Sequence, residues 1–150
     1  MPQSFVCLHH HLVFSTKHRE AMIDADLQPR LFEYIGGIIR SLDGVLLAAG
    51  GMPDHVHLYC SIGKQVAISD ALRQIKAGSS GWVHETFPDR SGFAWQSGYA
   101  AFAVSYSQSD RVRRYIENQP AHHRRTTYRD ELIALLTRHG LGYDERYMWD

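Results

Sequence analysis

Two histidines two residues apart, His55-Val56-His57, and a tyrosine and glutamine four residues apart, Tyr115 and Gln119, are the groups in this chain best suited to do chemistry. The histidines lie in a run that reads as a strand. Val56, Leu58, Cys60 and Ile62 alternate there with His55, His57, Tyr59 and Ser61. Side chains two apart on a strand point the same way, with α-carbons about 6.6 Å apart, so two imidazoles can converge on one cation. The tyrosine and glutamine fall in a predicted helix over 107–119, where Arg111, Tyr115 and Gln119 recur every four residues along one side. A metal held by two histidines beside a tyrosine hydroxyl suits phosphodiester cutting with the protein itself as nucleophile. Taken alone, a His-x-His strand is more often the polar face of a half-buried sheet, and a helical tyrosine more often edges a packing face. The conjunction gives both residues their weight.

The elements that must position them follow from periodicity. Phe5 to Ser15 reads as a first strand, with Val6, Leu8, Leu12 and Phe14 on one face and Phe5, Cys7, His9, His11 and Val13 on the other. A helix over 24–42 follows, its stripe made by Leu27, Leu31, Ile35, Ile38 and Leu42. Val45 to Ala49 is a second strand and Gly50 to Asp54 a turn signal. His55 to Ile62 is the third strand, 68–84 a second helix, and Phe93 to Val104 an aromatic-rich fourth strand. The helix over 107–119 stops at Pro120, and a last helix begins near Thr127 with Asp130 three residues on. This order predicts an α+β fold: a ferredoxin-like four-stranded antiparallel sheet (βαββαβ) with additional C-terminal helices, in one domain over 1–150. In that topology the first and third strands are central. The polar side chains of His55 and His57 then project from the face opposite the two packing helices.

Composition bounds the rest. The chain has 150 residues and is 44% hydrophobic, enough for one ordinary core. Sixteen basic and sixteen acidic side chains cancel, against the basic balance common in nucleic-acid binders. The local distribution is uneven: Arg111, Arg113, Arg114, Arg124 and Arg125 share a stretch whose single acid is Glu117. Cys7 and Cys60 match no zinc or redox spacing, and both fall on predicted strands where a buried free thiol is expected. With no apolar run near 18 residues and no leader pattern, a reduced, cytoplasmic setting is the expectation.

Longer stretches carry a resemblance. Gly51-Met52-Pro53-Asp54-His55-Val56-His57-Leu58, Trp95-Gln96-Ser97-Gly98-Tyr99, Tyr115-Ile116-Glu117-Asn118-Gln119 with Ala121-His122-His123, and the closing run Tyr143 to Asp150 stand in this order. In them the chain resembles the single-tyrosine HUH transposases, that is, the short insertion-sequence transposases and the REP-associated tyrosine transposases. The resemblance implies that His55, His57 and Gln119 hold a divalent metal, Mg²⁺ with Mn²⁺ as a substitute. It implies Tyr115 as the nucleophile that forms a 5′-phosphotyrosine link and frees a 3′ hydroxyl. It further implies a homodimer acting on single-stranded DNA with hairpins at element ends, the tyrosine helix docking in cis or in trans.

Candidate DNA contacts are Arg111, Arg114, Arg124 and Arg125, which suit phosphates, and His9 and His11, which project from the first strand on the side of the histidine pair. Trp95 and Tyr99 suit core packing better than base stacking, and Gln96 takes no role. The rival reading is a non-catalytic single-strand DNA or RNA binding module that uses an open sheet with exposed aromatics. A host-recruited repeat-associated transposase shares the same chemistry. Joint presence of His55, His57, Tyr115 and Gln119 favours an enzyme, since a pure binder needs no such set.

Overall fold

A computed structural model describes residues 3–149. These form four strands and five α-helices: β1 His9–Ser15, α1 Leu27–Ser41, β2 Val45–Met52, β3 His55–Ser61, α2 Ile68–Thr86, β4 Ala100–Val104, α3 Ser109–Glu117, α4 Gln119–His122 and α5 Tyr128–Arg138. The sheet is antiparallel in the order β2-β3-β1-β4, so β1 and the histidine strand β3 are central, as the topology requires.

Alternation divides the sheet into two faces. Leu12, Phe14, Val56, Leu58 and Cys60 meet Leu31, Ile35 and Ile39 of α1 and Leu72 and Ile75 of α2 in the main core. The opposite face is not open. Ile116 of α3 packs on Ala48 and Tyr59, and Tyr128, Leu132 and Leu135 of α5 pack on Val13 and Phe102. Burial of these apolar side chains removes the sheet's second face from water and encloses whatever polar groups it carries.

Within the sheet, three boundaries differ from the sequence expectation by more than one residue. β1 begins at His9, not Phe5. His9 pairs with Ser61 and Val104, where both neighbouring strands end, so residues before it have no ladder to join. Phe5, Val6 and Leu8 are consequently exposed, and so is Cys7, which was expected to be buried. β4 is confined to 100–104. The segment before it makes a single bridge, Thr16 to Trp95, and the carbonyls of Gln96, Ser97 and Gly98 are taken by Lys76 Nζ at 2.5, 3.2 and 2.7 Å in place of a strand partner. Its aromatics serve the core instead: Trp95 packs edge-on against Phe14 and Phe93 at 4.8 and 5.0 Å between ring centroids.

The third difference is the Gly50-Gly51 pair, which belongs to β2; the turn is only Pro53-Asp54. Gly50 lies opposite His57 in the ladder and so faces the same way. A Cβ there would stand 2.1 Å from the backbone oxygen of Ile116, the residue after Tyr115. The bare glycine is what lets α3 lie flat on β2. Gly50→Ala is therefore expected to push α3 off the sheet and to destabilise the fold by about 1–3 kcal/mol, the usual range for overpacking. Thermal denaturation checks the stability loss, and fluorescence quenching of the tyrosines checks the displacement.

The two thiols should also differ. Burial pushes the Cys60 thiol up to about 12, while Cys7 is open to solvent. An aromatic disulfide reagent is expected to titrate one thiol in the native protein and two in denaturant.

Candidate active site and metal centre

Strand β3 delivers His55 and His57, both fully buried, to the face under α3, α4 and α5, while Val56 anchors the strand in the main core. Asp54, in the turn before β3, accepts a hydrogen bond from His55 Nδ1 at 2.8 Å. A carboxylate only accepts, so the neutral ring carries its proton on Nδ1 and a lone pair on Nε2. His123, just past α4, is fixed the same way: its Nδ1 donates to the Thr126 carbonyl at 2.8 Å. Both Nε2 atoms face oxygens. His55 Nε2 lies 3.1 Å from Gln119 Oε1 and 3.4 Å from Glu131 Oε1, and His123 Nε2 lies 2.9 and 3.2 Å from the same two atoms. His57 Nε2 is 2.9 Å from Glu131 Oε1. Gln119 cannot turn its amide to relieve the conflict. Its Nε2 donates to Glu131 Oε2 at 2.8 Å, and reversal would set two oxygens against each other.

Lone pairs facing carbonyl and carboxylate oxygens repel unless each ring gains a proton or all of them share a cation. Donor atoms of His55, His57, His123 and Glu131 lie within 4.8 Å of one another. Imidazole nitrogens with one carboxylate and one amide oxygen form a set that fits a divalent ion of the Mn²⁺ to Zn²⁺ series.

The electrostatics agree with a strongly polar, buried cluster. Burial opposes ionisation of Glu131, yet hydrogen bonds from His55 and His57 hold its carboxyl well below the usual range. Burial likewise opposes a charge on His55, but Asp54 and Glu131 outweigh it and raise the ring to about 9. His57 is lowered by its complete burial. Tyr115 is pushed well above the ordinary phenol range by burial and by the Glu131 charge. At rest it is a neutral phenol that donates its proton to Glu131 Oε2.

The structure brings Tyr115 and Gln119 to the histidine pair within one chain. The Tyr115 ring lies edge-on to His57 at 5.7 Å between centroids. α3 stops at Glu117, two residues short of the expected end, and Gln119 opens α4 with Pro120 in its first turn. Arg111, Arg114, Arg124 and Arg125 line one open cavity of about 660 Å³ together with Tyr115 and Asn118. Arg113 points elsewhere, donating to the Leu47 carbonyl at 2.7 Å and tying α3 to β2.

His11 departs from the surface role considered for it. It is 4% exposed and its Nε2 sits 2.8 Å from His57 Nδ1. Burial and the neighbouring His57 bring it down to about 3, so His11 is a neutral ring whose hydrogen bond to His57 Nδ1 orients His57 Nε2 into the site. His9 is half-buried with Nδ1 2.7 Å from the Tyr59 hydroxyl. Tyr99 is exposed, where core packing was expected, whereas Trp95 is partly buried against the core. Gln96 acquires a structural role: its Oε1 accepts from the Ser15 backbone N–H at 2.7 Å and its Nε2 donates to the Met148 carbonyl at 3.3 Å.

Glu131 and His123 were not among the residues expected at the site. One signal for Glu131 existed: Tyr128, Glu131, Leu132 and Leu135 fall at helical spacing and are the buried residues of α5, so a lone acid sits on an inward stripe.

The family described as "Transposase IS200 like" matches residues 4–119. The ISDra2 transposase TnpA of Deinococcus radiodurans is 26% identical over 117 residues, which is 75% of this chain and 84% of that protein. A crystal structure of a candidate transposase from Deinococcus radiodurans R1 superposes with a TM-score of 0.62 at 26% identity, covering 79% of this chain and 96% of that one. A REP-associated tyrosine transposase bound to a REP hairpin shares the fold at a TM-score of 0.59 and 16% identity, over 82% of this chain and 74% of that one. The family match ends at Gln119, so His123 and Glu131 stand beyond it. That match spans most of the chain and takes in His55, His57, Tyr115 and Gln119 of the buried cluster, so the chain belongs to the IS200-like transposase family.

Proposed function

We propose that this protein cleaves and rejoins single-stranded DNA through a covalent link to Tyr115, with a divalent metal held by His55, His57 and Gln119. The observation that carries the reading is a shared contact: the Tyr115 hydroxyl and the His57 ring meet on the two oxygens of one buried carboxylate, and Tyr115 also lines an arginine-lined cavity. A metal bound there, Mg²⁺ or Mn²⁺, supplies charge neutralisation at the scissile phosphate. Arg111, Arg114, Arg124 and Arg125 hold the DNA backbone in the cavity through charge-assisted contacts. Attack forms an oxygen–phosphorus bond to Tyr115 and breaks the phosphorus–O3′ bond. The net proton passes from the phenol to the departing 3′ oxygen. The bond energy stays in the 5′-phosphotyrosine, so a second 3′ hydroxyl reverses the step without a nucleotide cofactor.

Hairpin-bearing strands are the proposed substrate, in keeping with the hairpin held by the REP-associated structure of the same fold. Two copies of the chain, each with its own pocket, suit the two cuts that an exchange of ends needs. The rival binding module calls for exposed aromatics on the sheet, but Tyr59 and Phe102 on the site's face are buried. The reading is tested by incubating the protein with a labelled hairpin oligonucleotide. A denaturant-stable protein–DNA adduct is expected with Mg²⁺ or Mn²⁺ and not with EDTA. An adduct of equal yield in EDTA would overturn the metal requirement.

A further inference from the structure

Glu131 is buried on a helix outside the family match, and both of its oxygens are used. Oε1 sits among three imidazole nitrogens, 2.9 Å from His57 Nε2, 3.2 Å from His123 Nε2 and 3.4 Å from His55 Nε2. Oε2 accepts the Tyr115 hydroxyl and the Gln119 amide. The rest of α5 gives no structural reason for an acid here, since its neighbours on the inward stripe, Tyr128, Leu132 and Leu135, are apolar packing residues. An isolated carboxylate on such a stripe is costly unless something compensates it. Two of the three facing imidazoles have their protons committed elsewhere, to Asp54 and to the Thr126 carbonyl. In their neutral forms they therefore meet Oε1 with lone pairs. A cation at that point satisfies the lone pairs and the carboxylate together.

We propose that Glu131 is a further metal ligand of this site, binding through Oε1, and that its Oε2 holds the Tyr115 hydroxyl beside the same ion. This rests on the metal reading given above and extends it. One anionic oxygen changes an all-neutral set of two imidazoles and an amide into a mixed set. Hard divalent cations bind such a set better than imidazoles and amide alone. It also fixes the distance between nucleophile and metal through a single rigid carboxylate on a helix packed against the sheet. The carboxylate thereby couples metal loading to the position of Tyr115.

Calorimetric titration of the metal-free full-length protein with MnCl₂ tests this without recourse to activity. Glu131→Gln is expected to weaken Mn²⁺ binding at least tenfold, and Glu131→Asp, which keeps the charge but withdraws the oxygen, is expected to weaken it as well. Binding within twofold of the parent protein in Glu131→Gln, with binding abolished in His57→Ala, would overturn the role of Glu131 and leave the histidine site standing. Failure of the parent protein itself to bind Mn²⁺ would overturn both. Should the variants fail to fold by circular dichroism, crystals of the parent protein grown with Mn²⁺ decide the matter. The anomalous peak is expected at about 2.1 Å from a Glu131 oxygen, the usual length for a small hard divalent ion. A peak bonded to His55 and His57 but out of bonding range of Glu131 would overturn the proposal.

Discussion

Tyr115→Phe is expected to abolish the covalent adduct and to reduce strand cleavage at least ~10⁴-fold, the scale on which loss of a covalent nucleophile is felt. The substitution removes one oxygen. The ring that packs edge-on to His57 and His11 stays. The lost hydrogen bond to Glu131 costs about 1 kcal/mol or less, because the carboxylate keeps its Gln119 and histidine partners. Folding, Mn²⁺ binding and hairpin binding should therefore survive while chemistry is lost. Gel analysis with a labelled strand measures the loss, and a melting curve confirms the fold. Cleavage that persists in Tyr115→Phe with a free 5′ phosphate would show water as the nucleophile.

His57→Ala is expected to be nearly as severe. Removing this ring takes away a central donor of the site, together with several kcal/mol of charge stabilisation at phosphorus, a loss of about 10³-fold in cleavage. The ring is fully buried between His11 and Glu131, so its removal also leaves the buried His11 Nε2 without its partner and takes one contact from Glu131. Added MnCl₂ should restore little activity, because only the imidazoles of His55 and His123 then remain at Glu131 Oε1. The contrast with Tyr115→Phe is diagnostic: His57→Ala loses metal binding and chemistry together, whereas Tyr115→Phe loses chemistry alone. Parallel calorimetry and adduct assays on the two variants check it.

The sheet and its two packing helices were legible because their side chains repeat cleanly. Val56, Leu58 and Cys60 alternate with the histidines, and Leu27, Leu31 and Ile35 of the expected stripe meet them in the core, with Ile39 fully buried where Ile38 was expected. Gly50-Gly51 misled because glycine pairs mark both turns and close approaches, and only the position of Ile116 over Gly50 distinguishes the two. The aromatics at 93–95 have strand composition, yet Lys76, on a distant helix, takes the carbonyls that follow them.

At the site, Tyr115 and Gln119 could be paired from one helix side, and the His55/His57 pair from one strand. Glu131 could not be joined to them by spacing. It lies 74 residues from His57, and an acid in a helix reads as solvated until the helix is seen to bury that face. The enclosure of the sheet's second face by α3, α4 and α5 has the same origin. Each of those helices is short and only partly apolar, and their burial is a tertiary fact.

Two tyrosines stand at the pocket. Tyr115 reaches Glu131, and Tyr128 stacks on His55 with ring centroids 4.1 Å apart and, among the described residues, no hydrogen-bond partner for its hydroxyl. Proteolysis of the protein–DNA adduct followed by mass spectrometry of the nucleopeptide identifies the linked residue directly. A nucleotide joined through its 5′ phosphate to Tyr115 is the predicted result. A nucleotide on Tyr128 or on any other residue would contradict the account.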